Sequence, residues 1–362
     1  MKVASSRDEK SARIAIAGQA QDMTKTYLTI AILISFIFAY PDCKAREEHL
    51  IQGRTMGTFY QVQVITADSE GIPGLREKVA RRLTEINRSM STYLPQSEIS
   101  RFNRFEPTGV KFKISEDFYQ VMQVAEKVYH LSDGAWDGTV NPLVDLWGFG
   151  HQGIKTVIPS STEISRLRAS VGFHHIEIMA PGYLVKKKAG ISLDLSSIAK
   201  GYGVDAVAGV LRNRGFRDFL VEIGGEIFAA GVRRDGKRWR IGINTPRKDA
   251  AFNAVYKAVN LKDSAFATSG DYRNFFEVNG IRYSHVIDPT SGYPVSNGVV
   301  SVSIRAGDCT FADGLATAVM VMGQEKGLAL INRLDGVEGL IVVEEPDGSL
   351  KDFFSKGFYA GN

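Results

Sequence analysis

Cysteine is nearly absent from this chain: there are two, Cys43 and Cys309, and the first lies in a stretch read below as a leader. If that stretch is removed, one thiol remains. An intrachain disulfide is then impossible, and Cys309 reads as a small buried residue. A strong charge of either sign is missing too. Against 44 Lys and Arg stand 40 Asp and Glu, a formal +4 with no dense basic stripe, so nothing proposes nucleic-acid binding. Repeats and low-complexity tracts are lacking, and so is an apolar run long enough to cross a bilayer comfortably: Tyr27–Tyr40 spans 14 residues. What is present is a globular, loop-rich composition, 44% apolar and 23% charged with 36 glycines, long enough for one large domain or two smaller ones.

The apolar run has the length of a signal-peptide core rather than a membrane span. Residues 1–22 are an odd leader for it, but Met23-Thr24-Lys25-Thr26 is an ordinary short positive region. The natural start is therefore read as Met23, with cleavage after Cys43-Lys44-Ala45, residues 1–45 as leader and 46–362 as the mature domain. A lipid on Cys43 is the alternative, although Tyr40-Pro41-Asp42 is a poor approach to a lipid-modified cysteine.

In the mature part, Phe59–Ile65 alternates polar and apolar as a half-buried strand does, after an interrupted start at Met56-Gly57-Thr58. Leu75–Met90 and Asp117–Leu131 carry apolar residues at spacings of three and four, the helical signature. The first ends before Ser91-Thr92-Tyr93. From Gly134 to Gly150 two tryptophans and Phe149 lie among glycines, with Asp137 in a turn. Such a segment either forms a slot for a flat ring or folds over the core. Residues 151–165 read as a surface excursion; Leu184–Lys188 and Ile191–Leu193 read as strands.

Asp194–Asp205 opens a helix to about Asn213. Ser196 or Ser197 would cap it, and Lys200 lies in its first turn. A hydroxyl-rich helix start suits an anion, because free backbone N–H groups and the helix dipole both favour phosphate. The segment has neither the Walker pattern nor a dinucleotide fingerprint, so the signal is local. Further strands are expected at Phe219–Ile223, ending at Gly224-Gly225-Glu226, and at Arg238–Ile243, Ala254–Leu261 and Gly339–Val343.

Chemistry-bearing residues concentrate between Thr268 and Thr317. Thr268-Ser269-Gly270-Asp271-Tyr272 and Tyr283–Pro289 are punctuated by Gly and Pro and are expected on turns. His285 is flanked by Ser284 and Asp288, and a carboxylate can orient an imidazole and stabilise its protonated form. Asp313 and Thr317, four apart, share one face of a helix opening at Ala312. With oxygen donors and no cysteine or second histidine nearby, they point to a hard ion such as Mg²⁺ rather than zinc, or else to a helix cap and a packed threonine.

In order along the chain, Thr55–Thr58, Ser91–Tyr93, Asp137–Leu143 with Leu146–Gly150, Asp194–Asp205, Gly224–Ile227, Thr268–Tyr272, Ser284–Pro289 and Ala312–Thr317 together resemble the ApbE family. These are flavin transferases that attach FMN from FAD to a protein threonine or serine. The resemblance covers roughly residues 50–345 and implies an α+β fold of sheets with packed helices. It implies that Met56, Tyr93, Ala135, Trp136, Asp137, Asp194, Lys200 and Ile287 contact FAD. Ser197, Asp313, Thr317 and Ala316, through its carbonyl, would hold Mg²⁺. His285 would act as base, with Asp288 beside it. Glu226 departs from the Asp more often found after the glycine pair. Family members are typically exported, and their acceptors include subunits of membrane redox pumps and other secreted flavoproteins. The same residues would serve a FAD pyrophosphatase, and a non-catalytic envelope flavin-binding protein is the reading from a different class.

Overall fold

The computed structural model describes residues 45–150, 157–251, 254–272 and 274–359. The readings placed on residues 1–44, the signal core, the start at Met23 and the lipid on Cys43, lie outside them. Among the described residues no helix is long and apolar enough to cross a membrane. The compact unit treated below runs from Arg46 onward.

Helices are α1 (Leu75–Met90), α2 (Glu98–Arg104), α3 (Glu116–Leu131), α4 (Asn141–Leu146), α5 (Ser161–Arg168), α6 (Ser196–Asn213), α7 (Cys309–Met322) and α8 (Gln324–Ile331). Strands in the first half are β1 (Glu47–Thr55), β2 (Thr58–Thr66), β3 (Lys111–Lys113), β4 (Ile176–Met179), β5 (Tyr183–Lys186), β6 (Asp218–Ile223) and β7 (Glu226–Ala230). Those in the second are β8 (Trp239–Asn244), β9 (Val255–Leu261), β10 (Ser264–Gly270), β11 (Phe275–Val278), β12 (Ile281–Ser284), β13 (Val299–Ala306), β14 (Glu338–Glu344) and β15 (Leu350–Phe354).

The scaffold is α+β, as expected. Its frame is an eight-stranded sheet in the order β1-β2-β6-β7-β10-β13-β14-β15, antiparallel at every pairing. The central strands β7 and β13 are buried on both faces, which explains their near-continuous apolar runs. One face packs against the helices through Val62, Val221, Ala265, Ala267, Val302 and Ile304, which meet Ile198, Val204, Leu315 and Val319. The other face packs through Leu220, Ile227, Phe266 and Val342 against the β8–β9 hairpin, whose Trp239, Ile241 and Ile243 close a second core. A third, smaller cluster of Leu143, Trp147, Ile164, Phe276 and Ile287 joins α4 and α5 to the β11–β12 hairpin.

Several expectations are corrected. Met56-Gly57 is not a kinked strand start but the two-residue turn of the β1–β2 hairpin, both residues at positive φ (48° and 72°). Ile191–Leu193 is irregular, and the excursion expected over 151–165 contains the start of α5, closed by a Ser160–Glu163 capping box. The helix expected from Ala312 begins at Cys309, because the Asp308 side chain accepts from Phe311 N. Gly323 at φ 80° then divides the apolar stretch into α7 and α8.

Candidate functional site

A cleft of about 430 Å³ opens on the helical face of the sheet, between the N-terminal turn of α6, the middle of α7, the end of β10, the loop before α4 and the residues after β12. The helices α6 and α7 cross at Gly201. A Cβ there would lie 2.7 Å from the Cys309 carbonyl carbon and 2.9 Å from Asp313 Cβ, so only glycine fits. The approach lets Gly201 N donate to Asp313 Oδ2 at 2.9 Å. It is reinforced by Asp205 of α6, whose carboxylate accepts from Cys309 N, Thr310 N and Thr310 Oγ1 (2.9, 2.8 and 2.6 Å) and so caps α7 from the neighbouring helix.

Three charges meet below that crossing. Lys200 Nζ is 2.6 Å from Glu226 Oε1 and 3.9 Å from Asp313 Oδ1. Both acids are buried, and Glu226 Oε2 is buried with no hydrogen-bond partner among the described residues. Burial disfavours the Lys200 charge, but Asp313 and Glu226 outweigh it and raise the ammonium's pKa. Burial also raises the carboxyl pKa of Glu226, with Asp313 adding to it, and that of Asp313, while Lys200 opposes both shifts. Two carboxylates thus share one ammonium, and one carboxylate oxygen is unused. Hard oxygen donors with a deficit of positive charge suit a divalent cation such as Mg²⁺. Thr317, one helical turn beyond Asp313, reaches Ser269 Oγ at 2.9 Å, which ties α7 to the end of β10.

The start of α6 differs from expectation. Leu195 is the N-cap, so Ser196 and Ser197 occupy the first turn, and Asp194 Oδ1 accepts from Ser196 N at 2.7 Å. Ser197 Oγ accepts from Trp136 Nε1 at 2.9 Å. Trp136 is buried edge-on against Phe173 rather than standing as an open stacking platform. Asp137 fastens the same loop: its carboxylate accepts from Thr139 N, Thr139 Oγ1 and Phe173 N (2.7, 2.5 and 2.9 Å). Burial raises its pKa, and these bonds pull the other way.

His285 is half-buried on the opposite wall. Its Nδ1 lies 3.1 Å from the Asn274 carbonyl oxygen, an acceptor only, so Nδ1 carries the proton and Nε2 keeps its lone pair. Burial lowers the imidazole's pKa, the bond to the Asn274 carbonyl opposes it and Lys200 adds to it, so the neutral ring is favoured. Phe149 meets the ring edge-on at 6.3 Å, continuing a stack through Phe276, Tyr283 and Trp147. Asp288 does not take the expected part. Its carboxylate accepts from Thr290 N and Ser291 N, closing its own turn, and the orienting group of His285 is a backbone carbonyl.

Of the residues singled out in the sequence, Tyr93, Ala135, Trp136, Asp137, Asp194, Ser197, Lys200, His285, Ile287, Asp313 and Thr317 all line the one cleft. Met56, Ala316 and Asp288 are not among its lining. Met56 packs beneath Gly203 of α6, and Ala316 is fully buried in α7. Sequence reading gave no role to Glu226, Ser269 or Asn274. The glycine pair before Glu226 marked the first; Asn274 acts through its backbone and has no side-chain signature. Thr268-Ser269-Gly270 is the end of β10 rather than a turn, paired with Ser301–Ser303.

A helix N-terminus with a lysine, a buried acid pair and a histidine stand around one hollow on an α+β scaffold, a set of groups whose chemistry suits phosphate. The chain belongs to the ApbE family, whose sequence model matches residues 56–341. It is 42% identical over 333 residues to the FAD:protein FMN transferase of Vibrio cholerae, covering 91% of this chain and 97% of that one. With the Escherichia coli protein of the same name it shares 33% identity over 317 residues, 87% of this chain and 89% of the other. The solved flavin transferase ApbE from Vibrio cholerae superposes with a TM-score of 0.78 at 41% identity, covering 87% of this chain and 99% of that one. The ApbE protein from Thermotoga maritima gives 0.75 at 29% identity, covering 87% and 99%.

Proposed function

We propose that this chain is an FAD:protein FMN transferase that uses Mg²⁺. It takes FAD as substrate, transfers FMN to a threonine or serine hydroxyl of an acceptor flavoprotein, and releases AMP. The observation that carries the reading is the arrangement of His285, with Nε2 free, across one cleft from Lys200, Asp313 and Thr317. A P–O bond forms between the acceptor oxygen and the FMN phosphorus. The bond from that phosphorus to the bridging oxygen breaks, and this oxygen leaves with AMP. His285 Nε2 takes the hydroxyl proton, a transfer suited to a neutral imidazole. Lys200 and the first-turn N–H groups of α6 bind the pyrophosphate oxygens.

Asp313, Thr317, Ser197 and the buried Glu226 oxygen would hold Mg²⁺, with the Ala316 carbonyl as the family resemblance implies. When bound, the ion supplies charge neutralisation at the pyrophosphate. Tyr93, Val140 and Ile287 offer apolar surface to the rings. The leader supports export, with the enzyme acting at the outer face of a membrane and acceptors such as redox-pump subunits.

The test is the intact mass of an acceptor domain after incubation with mature protein, FAD and Mg²⁺, beside an acceptor-free tube assayed for FMN and AMP. A gain of one FMN, abolished by EDTA, supports the transferase. Equal FMN and AMP without acceptor and no mass gain would make the protein a hydrolase. Full transfer by Asp313→Ala would remove the metal assignment.

A further inference from the structure

A second hollow, of about 250 Å³, lies on the opposite face of the sheet, between it and the β8–β9 hairpin. The alternation along β10 sets the faces. Ala265 and Ala267 pack toward the helices and Phe266 toward the hairpin, so Ser269 reaches α7 while Thr268 belongs to the hairpin side. The two hollows nevertheless share Gly224, Thr268 and Gly270, and so meet over the end of the sheet.

That meeting point is a rim that carries one side chain, that of Thr268, whose hydroxyl is held 2.8 Å from Ser303 Oγ, and is otherwise glycine. Gly224 and Gly225 form the β6–β7 turn at φ 62° and 103°; a Cβ built on Gly225 would meet nothing within 4 Å, whereas one on Gly224 would lie 2.8 Å from Thr58 Cγ2. Ile243 and Asn244 of β8 line the hollow beyond, and β8 pairs with β9 alone among the described strands. Its other edge therefore offers backbone groups to an extended chain.

The hollow also holds an acid. Glu222, two residues before the rim and about 7 Å from it along the strand, is half-buried, and among the described residues its carboxylate has neither a hydrogen bond nor an ion pair. Among the described residues no lysine or arginine lines the hollow. Burial raises the Glu222 carboxyl pKa, as for an acid that lacks a partner.

We propose that this hollow seats the acceptor. An extended segment of the acceptor protein lies across it with a basic residue against Glu222, and its threonine or serine hydroxyl passes over the glycine rim into the cleft toward His285. The proposal rests on the transferase reading and adds the route and charge preference of the second substrate. It also separates the two substrates in space, with FAD on the helical face and the acceptor arriving from the hairpin face.

The test uses synthetic peptides with one central threonine and Lys, Ala or Glu at each flanking position in turn. Flavinylation is read by mass as kcat/KM for peptide, and FAD affinity by flavin fluorescence. The wild type should prefer Lys over Glu at one flanking position by about tenfold. Glu222→Lys should invert that preference and Glu222→Gln abolish it, both with FAD affinity unchanged. A wild type indifferent to flanking charge, or a preference that survives charge reversal, overturns the route. A wild type that binds FAD yet modifies neither peptides nor any acceptor protein removes the transferase reading, and the proposal with it.

Discussion

The crossing of α6 and α7 at Gly201 sets where Asp313 stands, and it can be tested with two substitutions on one helix. Gly201→Ala places a methyl 2.7 Å from the Cys309 carbonyl carbon and 2.9 Å from Asp313 Cβ. The first neighbour is backbone, so the helices themselves must separate. Overpacking of this kind costs about 1–3 kcal/mol, and the gain in helix propensity offsets up to about 1 kcal/mol of it. A net loss of about 2 kcal/mol lowers Tm by about 3 °C in a domain of this size. Gly209, eight residues along α6, has nothing within 4 Å of its Cβ position. Gly209→Ala should therefore gain up to about 1 kcal/mol. Thermal unfolding of the two variants beside wild type gives the comparison. Because Gly201 N donates to Asp313 Oδ2, Gly201→Ala should also raise the Mg²⁺ concentration needed for half-maximal activity. Equal Tm values for the two variants, or Gly201→Ala at wild-type stability, would refute the close crossing.

Three further outcomes follow from the same geometry. The lowered pKa of His285 puts the acid limb of kcat/KM for the acceptor below the ordinary histidine range. As the folded pKa is depressed, the stability contribution is present above the unfolded value and lost as pH falls; titration of the His285 ring by NMR checks the site directly. Asp271 runs the other way. It is buried, its Oδ1 has no partner among the described residues, and its pKa is pushed up to about 6 by burial, with Arg282 at 2.8 Å opposing. Its contribution is therefore full below the unfolded carboxylate value and declines as pH rises through about 6. Urea midpoints at pH values on either side should differ less in Asp271→Asn than in wild type. Asp205→Ala removes the cap shared with Cys309 and Thr310 and should cost about 2 kcal/mol by urea unfolding.

What could be read from the sequence was whatever side-chain periodicity encodes. The helix over Leu75–Met90 was legible because one apolar face packs on the sheet. Residues Ser196 to Asn213 were legible for the same reason despite three glycines, two of which, Gly201 and Gly203, serve close approaches that periodicity does not encode. The β11–β12 hairpin was missed although its turn, Asn279-Gly280 at φ 53° and 78°, is a strong local hairpin signal. The pairing of His285 with Asp288 failed because short sequence separation says nothing about competing acceptors. Asp288 is consumed by two backbone N–H groups of its own turn, and a carbonyl from the far side of the hairpin takes its place. Grouping eleven of the expected residues around one cleft needed long-range sheet pairings that no local pattern carries.

The three buried charges link the phosphate reading to the cation reading. Glu226 and Asp313 outnumber Lys200, so with both acids ionised the cleft is negative where a pyrophosphate must sit. Phosphate oxygens would be repelled there unless a cation intervenes. FAD should therefore bind the wild type much more weakly in EDTA than in Mg²⁺, most clearly well above neutral pH, where burial no longer keeps Glu226 protonated. Glu226→Gln removes one negative charge while retaining an acceptor for Lys200. It should strengthen metal-free FAD binding by about tenfold, the effect of one nearby charge at about 1.4 kcal/mol. It should also weaken Mg²⁺ binding, so that the gap between the two conditions narrows. Flavin fluorescence titrations of both proteins in both conditions measure it. If wild type binds FAD equally with and without Mg²⁺, or Gln leaves the gap as it was, the buried acids are not what the pyrophosphate and its cation face.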